Sequence, residues 1–341
     1  MDAILSLPVI SYLVVPYFGT YSASLNLLFF YMTWSTLVLS QPPLRVEVIG
    51  TLGVRVLCFL IPATLFLILD TLLPSLAVGI KVQGAPALPT RTGGIAAART
   101  RKGGPQWYYV VGLSLFNVCL GVAIQAGVEF ILTQLLEVRS ALKLTTTLPM
   151  PWSIAKDVAR GLLLREILQY YLHRILHPSS PNYLSNLHKS YHHSIIAPYS
   201  FASHYDHPLP YLFWRFLPTY LPCALFRVHL LTYLLLLSLI SLEETLTLSG
   251  YTIIPGVMLG GFARRQDMHS QSQGKGNFAP WGLMDWLHGT SVGADVVDDM
   301  RDEAGKHQVA ERGDDVLKNA KASGREGLRS LNNRRKTGKK S

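Results

Sequence analysis

Apolar residues run through this 341-residue chain in stretches long enough to cross a bilayer, and that continuity restricts its fold more than any other feature. A spanning helix needs roughly 20 mostly apolar residues, because hydrocarbon offers the backbone no hydrogen-bond partner outside the helix itself. Residues 21–39, 52–80, 107–136 and 228–248 meet that length. The stretch 152–176 is also apolar but carries Lys156, Asp157, Arg160, Arg165 and Glu166, and 211–221 is short. Pro62 and Pro74 predict kinks in the second stretch. The stretches 211–221 and 228–248 are expected to form a tight hairpin turned around Pro222 and Arg227. With only 15% charged residues and a mean hydropathy of +0.25, the chain reads as all-α, a polytopic membrane helical bundle.

The N-terminus is expected to be retained, since Asp2 and the absence of an early Lys or Arg do not suit a cleaved leader. Residues 81–106 hold Lys81, Arg91, Arg99, Arg101 and Lys102 without one acid, which predicts a cytoplasmic loop. Counting crossings from there puts His173, the end of the last hairpin and the tail on the same side. Beyond Ser291 the apolar content falls, and 291–341 is expected to be a disordered charged tail. The net charge of +10 is split between tail and loops, without the aromatic-basic interleaving that would argue for nucleic acid. The domain reading is an N-terminal transmembrane hairpin with its basic loop over 1–106, a catalytic domain over 107–290, and the tail. Cys58, Cys119 and Cys223 lie in apolar surroundings without paired spacing and are expected to pack.

Eleven histidines are distributed unevenly. Five fall within 21 positions, as His173-Arg-Ile-Leu-His177 and then His188-Lys-Ser-Tyr-His192-His193. On a helix, residues i and i+4 share a face, so His173/His177 and His188/His192 can each grip an ion, with His193 completing a shell or holding two ions together. Neutral imidazole suits iron, zinc, copper and nickel alike, which leaves the metal open. A histidine-rich metal site on the cytoplasmic side is the resulting expectation.

Further on come Ala202-Ser-His204-Tyr-Asp206-His207-Pro208, then Gln266-Asp267-Met268-His269-Ser270, and finally Asp285-Trp-Leu-His-Gly289-Thr290. With the first two boxes, these make the stretch from about Ile154 to Thr290 resemble the fatty acid hydroxylase/sterol desaturase superfamily of membrane di-iron, histidine-box oxygenases. That family has His-x-x-x-His, His-x-x-His-His, a His-Pro step, a His-Ser-Gly-Tyr step and a late His-Asp-x-His-His box before Asp-x-x-x-Gly-Thr. Leu248, Gln266 and Ser270 stand here where the resemblance expects histidine.

The resemblance implies two Fe ions held by His173, His177, His188, His192, His193, His207 and His269. Glu244, one helical turn before Leu248, is the candidate to replace the missing histidine. The alternative for Glu243 and Glu244 is a pair satisfied by Thr245 and Thr247, or hydrated at the membrane edge. Asp267 is either an acceptor for a ligating histidine or part of a solvated turn with Arg264 and Arg265, and His204 is an extra histidine outside the shell. Tyr170, Tyr171, Trp214 and Trp281 fit an aromatic belt or a lipid access path.

The reaction implied is O2-dependent hydroxylation or desaturation of a lipid C–H bond (sterol, sphingoid or fatty acyl) in lipid biosynthesis. The partners implied are a membrane lipid substrate and a cytochrome b5-type electron donor with its reductase, at the endoplasmic reticulum membrane. No dinucleotide fingerprint or haem-attachment motif appears, and His177-Pro178 continues as Ser-Ser rather than the Gly-Gly of a fused cytochrome b5. The competing reading is a degenerate relative acting as a lipid- or metal-binding scaffold. A metal transporter is disfavoured by the clustering of histidines at one membrane face.

Overall fold

Among the described residues three helices are long and apolar enough to cross a bilayer: Pro43–Leu72, Trp107–Leu135 and Leu230–Thr247. They belong to a computed structural model that describes residues 21–90, 105–180, 182–252, 254 and 258–306. The expectations for the extreme N-terminus, for Arg91, Arg99, Arg101 and Lys102, and for the tail from 307 lie outside the described residues. The described chain is helical, with two isolated bridges pairing Lys81 with Tyr251 and Lys143 with His229.

Helix α1 covers Tyr21–Ser40 and α2 covers Pro43–Leu72. Pro43 opens α2 at a position where a missing N–H costs nothing. The helix starts well before the expected residue 52 because Arg45 and Glu47 dilute the hydropathy there. Glu47 is nevertheless buried and accepts from Gln125 Nε2 at 2.7 Å. A π turn at Val56–Leu60 lies directly ahead of Pro62, a widened turn of the kind that absorbs a lost helical hydrogen bond. Pro74 ends one helix and opens another, α3, Pro74–Ile80.

Helix α4 is Trp107–Leu135 and α5 is Pro151–Ile175. Two short segments follow, α6 (Tyr183–Tyr191) and a one-turn 3-10 helix at His192–Ser194. Helix α7 runs over 208–225 through a π turn at Leu212–Phe216, and α8 is Leu230–Thr247. The reversal between them lies at residues 226–229 rather than at Pro222, which stays inside α7. Arg227 takes a positive φ (+46°) in this reversal. Helices α9 (Leu259–Gln271) and α10 (Leu283–His288) complete the unit that ends at Gly293. The second unit begins at Ala294 and contains α11, Val296–Lys306, whose first turn is capped by the Asp295 carboxylate on Val297 N and Asp298 N. Part of the stretch expected to be disordered is therefore helical, stabilised by acids at its positive end.

Helix α5 lies close against α8. At Gly161 a Cβ would sit 2.6 Å from Leu236 Cδ2, so the missing side chain permits the approach. Tyr233 of α8 donates to Gln125 Oε1 at 2.8 Å, joining α8 to α4 and, through Glu47, to α2. The segment after α3 is tied to the turn after α8 by Val82 N to Gly250 O and Thr252 N to Ile80 O, both 2.9 Å. Asp70 reinforces the tie, taking Lys81 Nζ and Tyr251 OH at 2.6 Å each. Asn117 of α4 donates to the backbone carbonyls of His204 and Asp206 at 3.0 and 2.9 Å.

Candidate metal centre

Six imidazoles from three stretches of chain converge. His173 lies in the last turn of α5, and His177 stands just past its end, their ring centroids 5.1 Å apart. Helix α6 is started by Asn182, whose side chain accepts from Ser185 N at 2.8 Å, and it delivers His188. His192 and His193 follow in the 3-10 turn, His192 stacked on His188 with centroids 4.9 Å apart. His269 comes from α9, 4.7 Å from His173 and 4.9 Å from His193. His173, His177, His188 and His193 each offer a nitrogen within 4.8 Å of the others. All six rings except half-buried His177 are enclosed.

Four of the rings are oriented by their outer nitrogens. His173 Nδ1 faces Phe278 O at 2.9 Å, His188 Nδ1 faces Asp206 Oδ2 at 2.6 Å, His192 Nδ1 faces Tyr205 O at 3.1 Å, and His269 Nδ1 faces Gly276 O at 2.6 Å. Carbonyl and carboxylate oxygens only accept, so each Nδ1 carries the proton and each Nε2 keeps a bare lone pair directed inward. This tautomer has a consequence. His173 Nε2 and His188 Nε2 stand 3.2 Å apart as two acceptors, and His269 Nε2 is buried without a partner. Acceptors facing one another call for a cation between them, and a metal ion fits that donor set.

A proton cannot substitute easily. Burial above all holds His188 and His192 down to about 3 and His269 to about 4, so at neutral pH the rings are uncharged. The unfolded chain takes up these protons near pH 6.5, whereas the folded one resists until far lower, so stability rises with pH across that interval. Thermal unfolding of the metal-free protein is expected to move to lower temperature as the pH falls below about 6.5. A melting temperature that is flat or rises on acidification would contradict the burial.

The loops that carry these oxygens are themselves pinned. Asp285 accepts from Phe278 N (2.9 Å), Ala279 N (2.8 Å) and Thr290 Oγ1 (2.7 Å), and Gly289 (φ +64°) ends α10 so that Thr290 can turn back. The Asp-x-x-x-Gly-Thr signature therefore positions the Phe278 carbonyl that orients His173. Glu166 does similar work from α5, taking Trp281 N, Leu283 N and Met284 N. Gly274 has φ +80°, and a Cβ there would come within 2.1 Å of the His177 ring. Gly274→Ala is expected to displace His177 and lower metal content while leaving the helices in place, which metal analysis alongside circular dichroism would check.

Two expected ligands lie elsewhere. His207 is the N-cap of α7, its Nδ1 accepting from Leu209 N at 3.3 Å and its ring against Tyr191. Pro208 fixes that cap, and the residue that reaches the cluster is the neighbour, Asp206. Glu244 does not face the six imidazoles either. Its Oε1 lies 3.0 Å from both Arg165 Nη2 and Arg215 Nη1, a pairing that consumes the carboxylate, and the imidazole it approaches is His204, at 4.0 Å. Asp267 orients no ligating ring. It accepts from Gln83 Nε2 (2.5 Å) and Gln271 Nε2 (2.6 Å), linking α9 to the segment after α3. Leu248 caps α8, buried, and Ser270 bonds back to Gln266 O within α9.

Sequence reasoning missed Asp206, which also accepts from Trp214 Nε1 at 2.8 Å and from its neighbour's amide, His207 N. A carboxylate inside a histidine-rich segment was the available signal. Trp214 is buried and stacks on His173, centroids 4.1 Å apart at 17°, so it forms a wall of the centre rather than a membrane belt. Tyr170 is buried too, whereas Tyr171 is exposed, and the Trp281 indole donates to Glu243.

Residues 158–290 match the fatty acid hydroxylase family. That stretch is similar to the fatty acid hydroxylase family over its matched length. It contains all six converging histidines and the Asp285–Thr290 signature, and the family is one of membrane histidine-box oxidoreductases. Two relatives are the proteins named fatty acid hydroxylase domain-containing protein 2 of Macaca fascicularis and of Homo sapiens. Each is 30% identical over 138 residues, 40% of this chain and 38% of the relative, so the likeness covers well under half the length of these relatives. No solved structure matches the chain.

Proposed function

We propose that the histidine centre holds two iron ions and that the protein uses them, with dioxygen and electrons from outside, to hydroxylate or desaturate a C–H bond of a membrane lipid. The observation that carries this reading is the set of inward Nε2 lone pairs fixed by protonated Nδ1 atoms. The ligands would be His173, His177, His188, His192, His193 and His269. Six imidazoles shared by two ions leave open positions for dioxygen. Bound iron would supply the activation of dioxygen and the one-electron chemistry that breaks an unactivated C–H bond.

The protein's own part is orientation and exclusion. Asp206 and the Tyr205, Gly276 and Phe278 carbonyls hold the rings, while Trp214 and Phe278 pack against His173 and keep water from that side. Electrons would come from a cytochrome b5-type donor and its reductase, for which an endoplasmic reticulum location with the centre facing the cytoplasm is the natural setting. Lys81 is buried against Asp70, and the other basic residues of segment 81–106, Arg91, Arg99, Arg101 and Lys102, suit docking of an acidic carrier.

Leu248, Gln266 and Ser270 favour a second reading, a scaffold that binds one metal or none. Metal stoichiometry separates the two. Protein purified from iron-replete cells should carry close to two irons per chain, and comparison of lipids from cells with and without the protein should show one precursor accumulating. One iron or fewer, with unchanged lipids, would leave the scaffold.

A further inference from the structure

The charged groups near the C-terminal end of α8 are not accounted for by the histidine centre. Arg165 of α5 meets Glu243 at 2.9 Å and Glu244 at 3.0 Å, and Arg215 of α7 meets the same Glu244 oxygen at 3.0 Å. Arg55 of α2 donates to Ser241, one turn earlier on α8. Three guanidinium groups thus gather around two carboxylates beside a candidate membrane span, with Asp206, the acceptor of the Trp214 indole, the next acid near Arg215. Ionised groups at such a depth are costly, and their usual justification is a ligand or a pathway.

Arg215 spends only Nη1 on Glu244. Its Nε and Nη2 are buried without a partner, and so is Nε of Arg165. The Nε and Nη2 hydrogens of one guanidinium are parallel, and that edge is the complement of a carboxylate's two oxygens. The fork is fixed in place, because the Arg215 guanidinium lies over the Trp214 ring at 4.2 Å, and the same indole stacks on His173 at 4.1 Å. One aromatic side chain thus relates the unfilled fork to a metal-binding imidazole. Gln169, one turn before His173 on α5, and His204 also have buried unpartnered atoms, Oε1 and Nε2. On the lipid side of α8, Leu235, Leu239 and Leu242 are exposed.

We propose that the side-on fork of Arg215, supported by Arg165, binds the carboxylate of a long-chain lipid and so selects which molecule presents its chain to the histidine centre. This deepens the reading of the protein as a lipid oxidase and rests on it for the role of the bound lipid. A carboxylate offers two charged oxygens to the two N–H groups together. An ester or an alcohol of equal chain length brings no charge to that fork.

The test is equilibrium binding of radiolabelled oleate to the full-length protein in nanodiscs, with methyl oleate and oleyl alcohol as competitors and iron measured on the same samples. Oleate is expected to bind about ten-fold more tightly than either competitor, the ratio that one charge-assisted hydrogen bond supplies. Arg215→Gln should remove that preference while leaving the weaker lipids unaffected, and Arg215→Lys, which keeps the charge but not the fork, should restore it only in part. Because Arg215→Gln also leaves Glu244 with one partner fewer, the charge-balanced Arg215→Gln/Glu244→Gln protein is measured beside it. Equal binding of the three lipids by the wild type, or an oleate preference that survives in either folded glutamine variant, overturns the proposal. Iron at two per chain with no oleate preference removes this site alone. An oleate preference in protein that binds no iron keeps the site and removes the oxidase reading.

Discussion

Alanine at both His188 and His192 should leave the purified protein without bound iron, and Asp206→Ala, which removes no ligand, should weaken metal binding by about 10–100-fold. The first effect follows from deleting two of six converging imidazoles. The second is the more informative, because Asp206 acts through its neighbours His188 and Trp214 rather than as a ligand. Its Oδ2 takes the Nδ1 hydrogen at 2.6 Å and the Trp214 indole at 2.8 Å, fixing the tautomer of one and the position of the other. Without it the ring can rotate and present N–H to the centre. Iron per chain after dialysis against graded chelator would measure both changes, with circular dichroism to confirm that the helices persist. Full retention of iron by Asp206→Ala would mean that the His188 tautomer is set by something else.

Arg165→Ala is expected to produce the largest loss of stability of any single substitution on α5, about 3–5 kcal/mol. The side chain is 1% exposed and meets two carboxylates, so its removal strands Glu243 and leaves Glu244 with Arg215 alone. Glu243 also accepts from Trp281, and the damage would spread to the loop that Glu166 pins. The cost of uncompensated burial should fall if Glu243 and Glu244 are changed to glutamine in the same chain. Thermal unfolding in a fixed detergent, single against triple variant, checks both halves. A single variant that melts like the wild type would show that the pairs are hydrated and nearly neutral in energy.

Much of this centre could be read from spacing, and the reasons it could not all be read are specific. His173/His177 and His188/His192 are local, set by one helical turn, and a local rule finds them. His269 needed the family resemblance, since one histidine between Met268 and Ser270 carries no pattern of its own. Three of the four anchors that orient the rings were out of reach because backbone carbonyls leave no mark on residue identity. Glu244 shows the opposite failure. Its place on α8 was right, but its partners lie 79 and 29 residues away, and helical phase does not tell which neighbour a face will meet. The turn after α7 shows the same limit, since Pro222 is a breaker by type and a helical residue here, while Arg227 takes the left-handed conformation by position.

The ties that reach into 158–290 from outside bear on how such a protein can be dissected or transplanted. Asn117 holds the carbonyls on either side of Tyr205, Gln83 holds Asp267, and Asp70 with Lys81 holds Tyr251, so the backbone around the histidines leans on donors and acceptors that precede the recognisable segment. A fragment trimmed to the familial boundaries would expose those contacts to detergent and misplace Asp206 before it lost a single histidine. The recognisable stretch is not a portable cassette, and a chimera that grafts it elsewhere must carry the preceding helices along.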